Sequence, residues 1–129
     1  MSADRDRALE NLKLRAFQLY ALFGVPTATW NPESDEVAGV LADHVEFLRG
    51  LERAGTMFMG GPFRAPDYEW SGSGMIIVRT SSLAEARALA ERDPLFLHGL
   101  RTYDVRGWQL NEGRLSISVD LDSNTVGIA

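Results

Sequence analysis

Two polar residues stand where the surrounding pattern calls for apolar ones. His44 falls within Val37, Val40, Leu41, Leu48 and Leu51, a set at helical spacing, so its imidazole faces the interior side of a helix rather than water. Asp93 lies three residues beyond Ala90 in the stripe Leu83, Ala86, Ala90. Pro94 disfavours helical geometry at Asp93 itself, which places the carboxylate near a helix end on the side facing a sheet. An imidazole titrates near neutral pH and can take or give a proton. A carboxylate beside it fixes its tautomer and stabilises the imidazolium. The pair could therefore do proton-transfer chemistry. Each residue also has a structural reading: His44 as a core side chain satisfied by one hydrogen bond, and Asp93 as a cap for backbone amides in the Asp-Pro turn. A carboxylate has lone pairs for both jobs.

Other residues could contact a ligand around that pair. Gly60, Gly61 and Pro62 would let backbone approach it closely, with a β-bulge or strand exit as the alternative. No helix follows them, so they do not form a phosphate-cradling loop. Tyr68 and Trp70, in a loop from Arg64 to Gly72, could lid a pocket or pack on a partner subunit. Phe17, Met57, Met59 and Trp108 could line the cavity, with ordinary core as the default. His98 reads as a surface or short-helix residue. Glu33, Asp35, Glu36 and Asp43 read as the solvated face and start of a helix. Two distant histidines and no cysteine leave no recognisable metal spacing, no thiolate nucleophile and no disulfide. There is no Gly-x-Ser-x-Gly elbow, and nothing demands a cofactor.

The elements that must position these residues follow from periodicity. The chain has 129 residues, 45% hydrophobic and 24% charged, which suits one globular domain. A strand is predicted from Lys13 to Phe23, ended by Gly24-Val25-Pro26, and a helix capped by Asn31 or Ser34 and stopped at Gly55. Thr56–Pro62 and Gly74–Thr80 read as strands. Ser82-Leu83-Ala84-Glu85 matches a capping box for a second helix. Thr102–Leu110 is a fourth strand, and the alternation of Leu115, Ile117, Val119 and Leu121 a fifth, with one wet face. The order is βαββαβ plus one strand: an α+β, ferredoxin-like domain with both helices on one face. Leu12–Phe23 and Met75–Val78 are apolar on both sides, so a second subunit is predicted to cover the other face. Boundaries are read as an arm at 1–12, the domain at 13–122 and a tail at 123–129. A net charge of −5 with scattered arginines argues against nucleic acid. The apolar stretch Leu12–Pro26 is interrupted by charge and too short for a membrane span. With no apolar leader segment, a cytoplasmic location is expected.

These residues resemble the YCII-like family of small ferredoxin-type dimeric α/β barrels. The matching pieces are His44-Val45-Glu46-Phe47-Leu48 with Leu51 and Gly55, then Gly61-Pro62, Ser82-Leu83-Ala84-Glu85-Ala86, Asp93-Pro94 with Gly99-Leu100, and Val105 to Trp108. The resemblance spans residues 14 to about 110. It implies that His44 and Asp93 take the place of the polar residues proposed as the family's active site. It also implies a fold like that of muconolactone isomerases, and one branch of the family removes chloride from a chlorinated hydroxyquinol. The N-terminal arm and the strand from Gly113 to Asp122 depart from the family pattern.

Two readings follow. One is a cofactor-independent lyase or isomerase acting on a small cyclic oxygenated compound, with His44 moving the proton and Asp93 holding it. The other is a non-catalytic dimer that binds a small ligand or serves as an accessory module. A monooxygenase of the related dimeric-barrel type ranks behind both.

Overall fold

Ser34 and the acids after it set the start of the first helix. The Ser34 hydroxyl accepts from the Val37 amide at 3.4 Å, and Asp35 and Glu36 lie where the positive end of the helix dipole favours them. Helix α1 runs Asp35–Arg53 and buries Val37, Val40, His44 and Leu51. Gly55, at φ 73°, then takes the left-handed conformation that turns the chain out of the helix.

The computed structural model describes residues 3–7, 17–64, 70–114, 116–120 and 125–128. Its strands are β1 Phe17–Pro26, β2 Met57–Arg64, β3 Trp70–Val78, β4 Arg101–Leu110, β5 Ile117–Asp120 and β6 Thr125–Ile128. Besides α1 there are helices α2, Leu83–Ala90, and α3, Pro94–Leu97. Residues 18–109 form one compact unit; residues 1–17 with 110–129 form another.

Within the larger unit, an antiparallel sheet has the order β2-β3-β1-β4, the ferredoxin-like arrangement. Tyr20 lies opposite Val78 and Phe23 opposite Met75, so the two central strands present matched faces. One face carries Leu22, Ile76, Val78 and Val105. It packs against Leu51 of α1 and Ala86, Leu89 and Ala90 of α2, which places both helices on that side. Leu22 and Val78 are fully buried, each stabilising the fold by about 1.5–3 kcal/mol. A smaller cluster joins Val37 and Val40 of α1 to Leu95 of α3 and Leu100. On the opposite face, Met59 and Trp108 are 48% and 42% exposed, so neither is core.

The second helix starts as the capping pattern requires. Ser82 Oγ accepts from the Glu85 amide at 3.1 Å, while the Glu85 carboxylate reaches back to the Ser81 amide rather than to Ser82. The helix ends at Ala90, and Asp93 (φ −62°, ψ 128°) is extended, as the following proline demands.

Three elements differ from the sequence reading. Gly24, Val25 and Pro26 belong to β1 rather than ending it. Trp70, read as part of a loop, opens β3, where it lies opposite Arg64; the run Ser-Gly-Ser-Gly behind it has too little β-propensity to announce a strand. Residues 125–128, read within a tail, form β6. They pair with β5 in a two-stranded sheet separate from the main one, with Val119 opposite Val126 and Ile117 opposite Ile128. In the arm, residues 3–7 are helical and exposed, whereas Lys13–Ala16 of the predicted first strand lie outside the described residues.

Candidate active site

The helix stripe and the Asp-Pro turn bring His44 and Asp93 together. His44 Nδ1 lies 2.8 Å from Asp93 Oδ1 and 2.9 Å from Oδ2. Asp93 Oδ1 also accepts from the Leu95 amide at 3.0 Å, capping α3, and Oδ2 accepts from the Tyr103 hydroxyl. The carboxylate thus performs both roles open to it, partner and cap. Burial disfavours its charge, but the bonds from His44, Tyr103 and Leu95 outweigh burial and hold the carboxyl below its ordinary value.

An ionised carboxylate only accepts. His44 Nδ1 must therefore carry its proton, leaving Nε2 as the basic nitrogen of the neutral ring. Nε2 has no hydrogen-bond partner among the described residues. His44 walls a partly open cleft of about 330 Å³, whose other sides include Leu41, Leu48, Met57, Trp70 and Ile76. A basic nitrogen, oriented from behind by a buried carboxylate and fronting an apolar cleft, can act as general base and return the proton as general acid.

Of the other candidate contacts, Gly60, Gly61, Pro62 and Trp70 wall this cleft. Met57 does too, while also packing on the core. Met59 and Trp108 instead border a groove on the far face of the sheet. A β-bulge between Met57 and Met59 causes the split: Met57 lies opposite Val78, Met59 opposite Ile77, so the two methionines project to opposite faces. Tyr68 and the Phe17 side chain lie outside the described residues. His98 ends α3 at the surface.

Two residues of the site were not singled out by sequence reasoning. Arg101 and Tyr103 stand two apart on β4, on the face that also buries Val105. Tyr103 donates to Asp93, and Arg101 Nη1 donates to the Tyr103 oxygen at 3.3 Å. Burial, together with the charge and bond of Asp93, raises the Tyr103 phenol above its ordinary value despite the opposing pull of Arg101. The signal was an arginine in phase with Tyr103 and Val105 on an alternating strand. Among the described residues no group of three or more His, Asp or Glu side chains could hold a metal ion. Nor is any helix long and apolar enough to cross a membrane.

Comparison with known proteins agrees with this fold. Among solved structures, the chain is similar to 5-chloro-2-hydroxyhydroquinone dehydrochlorinase from Burkholderia phenoliruptrix AC1100, solved with 2,5-dihydroxybenzoquinone. The identity is 23% and the TM-score 0.54, covering 70% of this chain and 92% of that one. No curated protein sequence matches. The profile of the YCII-related domain matches residues 20–109, a span that holds His44, Asp93, Arg101 and Tyr103. The chain belongs to the YCII-related domain family.

Proposed function

We propose that this protein is a cofactor-independent lyase or isomerase acting on a small cyclic oxygenated compound, with His44 and Asp93 as its catalytic pair. The reading rests on one observation: Asp93 bonds Nδ1 of His44, whose ring walls an apolar cleft. Nε2 takes a proton from the bound ring compound. The released electron pair forms a new π bond, and either a leaving anion departs with its own pair or the proton returns at another ring atom. The first course is elimination and the second isomerisation; neither changes the oxidation balance. Asp93 stays ionised and stabilises the imidazolium between the two transfers. Membership of the YCII-related family supports this reading, as does likeness to a protein named as a dehydrochlorinase of a hydroxylated ring.

The working form in this proposal is a cytoplasmic homodimer. The far face of the sheet exposes Met59, Phe63 and Trp108 beside a groove of about 330 Å³, an apolar surface of the kind a second copy would cover.

The test is turnover of a panel of hydroxylated and chlorinated hydroxyarenes and lactones by wild type and His44→Ala. Turnover of at least one compound, abolished by H44A with the dimer retained, is expected. Saturable binding without product, weakened but not abolished by His44→Gln, would replace catalysis by ligand binding.

A further inference from the structure

Arg101 is 4% exposed, yet among the described residues no carboxylate pairs with it. Among the described residues only two of its five N–H groups have acceptors: Nη1 donates to the Tyr103 oxygen at 3.3 Å and Nη2 to the Gly72 carbonyl at 2.6 Å. The Nε hydrogen is buried and has no acceptor among the described residues. A buried guanidinium without an anion is a costly arrangement that folds seldom keep without use. This fold makes room for it. A Cβ on Gly24 would lie 2.6 Å from Arg101 Cδ and 2.9 Å from Nε, so the side chain reaches its position only because β1 carries glycine there. The same arginine walls the cleft that His44 fronts.

We propose that Arg101 anchors an anionic oxygen of the ligand, so that the cleft selects a small ring acid, ionised at neutral pH, over a neutral ring of the same shape. A carboxylate or a ring enolate has the planar, delocalised charge that a guanidinium fork matches. It supplies an anionic partner to the guanidinium where Arg101 walls the cleft, while the aliphatic and indole walls take the ring. His44 Nε2 then meets the ring at a second point. Charge developing on the ring during proton removal spreads toward a fixed cation, which lowers the barrier. The inference deepens the proposed function and rests on the same cleft, but it concerns binding and does not require that a reaction occur.

The experiment is calorimetric titration with a matched pair of probes, 2,5-dihydroxybenzoate and its primary amide. Wild type is expected to bind the acid at least about tenfold more tightly than the amide, the scale of one charge-assisted hydrogen bond. In Arg101→Gln the preference should fall to near one while amide affinity holds. Gly24→Ala, which keeps the charge but displaces the side chain, should also lose the preference. Tyr103→Phe, which removes the bond that Arg101 makes to the phenol together with the phenol's own bond to Asp93 but leaves the guanidinium in place, should retain it. Equal affinities in wild type, no saturable binding of either probe, or a folded R101Q that still prefers the acid would each overturn the proposal. If R101Q proves unfolded, G24A decides: a preference it retains overturns the proposal. Loss of acid preference in these variants, with no product from any compound of the panel, would leave the anchor standing and remove the catalytic reading instead.

Discussion

Replacing Asp93 by Asn exchanges one carboxylate oxygen for an amide nitrogen and removes one charge from a fully buried position. The remaining oxygen can still accept from the Leu95 amide, so the cap on α3 has a means of surviving. The bonds from His44 and Tyr103 lose their ionic character. Each falls from the range of a charged hydrogen bond to that of a neutral one, about 1 kcal/mol apiece. The new NH2 must also find acceptors where the site offered donors, and one unmatched group adds about 1–2 kcal/mol. Together these put the destabilisation at about 2–4 kcal/mol, a large share of a small domain's usual stability. The functional effect is larger. Where the new amide nitrogen turns toward Nδ1 in place of Oδ2, His44 is expected to move its proton from Nδ1 to Nε2, which occupies the basic nitrogen of the ring. A wrong tautomer of this kind lowers turnover by about three to four orders of magnitude in triad enzymes.

The assay is urea unfolding of wild type and D93N followed by circular dichroism between pH 3 and 8. Because folding depresses the Asp93 carboxyl, its stabilisation is present above the ordinary value of 3.8 and is lost as pH falls through the lower folded value. The gap between the two proteins should therefore be full at pH 7 and narrow in acid below about pH 4. Long-range 1H–15N spectra of the His44 ring should show Nδ1 protonated in wild type and Nε2 protonated in D93N. A stability gap that is absent, or unchanged across this range, would refute the reasoning, as would an unchanged tautomer.

Two further substitutions test separate parts of the structure. Tyr103→Phe removes a donor to Asp93 and should destabilise the fold by about 1–2 kcal/mol at neutral pH. Because folding raises the Tyr103 phenol, wild type should also lose stability as pH climbs past the unfolded value of 10.0, and Y103F should lack that component when melting temperatures are compared from pH 8 to 11. Met59→Lys places a charge on the exposed far face of the sheet. Sedimentation equilibrium should find wild type dimeric at micromolar concentration and the variant monomeric with its fold intact; an unaffected dimer would assign the interface elsewhere.

The sequence made one pair of the site legible and hid the other, for physical reasons. His44 and Asp93 could be seen because each breaks an apolar stripe of fixed period, and because the βαββαβ order puts both helices on one side of the sheet. Arg101 and Tyr103 were hidden because an arginine at the start of a strand ordinarily extends to water. What turns this one inward is the bare backbone of Gly24 and the Gly72 carbonyl, both distant in sequence. The assignment of Met59 to the cleft failed on a similar non-local feature, the bulge that sends Met57 and Met59 to opposite faces. Gly72 sits at φ 93°, and a Cβ there would lie 2.7 Å from the Trp30 indole, so its glycine reports a contact rather than a loop.

The precision of the His44–Asp93 geometry has its origin in packing on both sides of the pair. Val40 lies one helical turn before His44, and Leu95 lies two residues after Asp93; both belong to the buried cluster that joins α1 to α3. The Leu95 amide is also the one that Asp93 caps. One carboxylate therefore fixes a helix start and a ring orientation through the same two oxygens, while the cluster beside it fixes the spacing between α1 and α3. A ring held this way has few alternative rotamers open to it. Small side-chain losses at Val40 or Leu95 should then reduce turnover well beyond their effect on stability, because a displacement of about 1 Å at Nε2 is enough to cost a reaction on the order of a hundredfold.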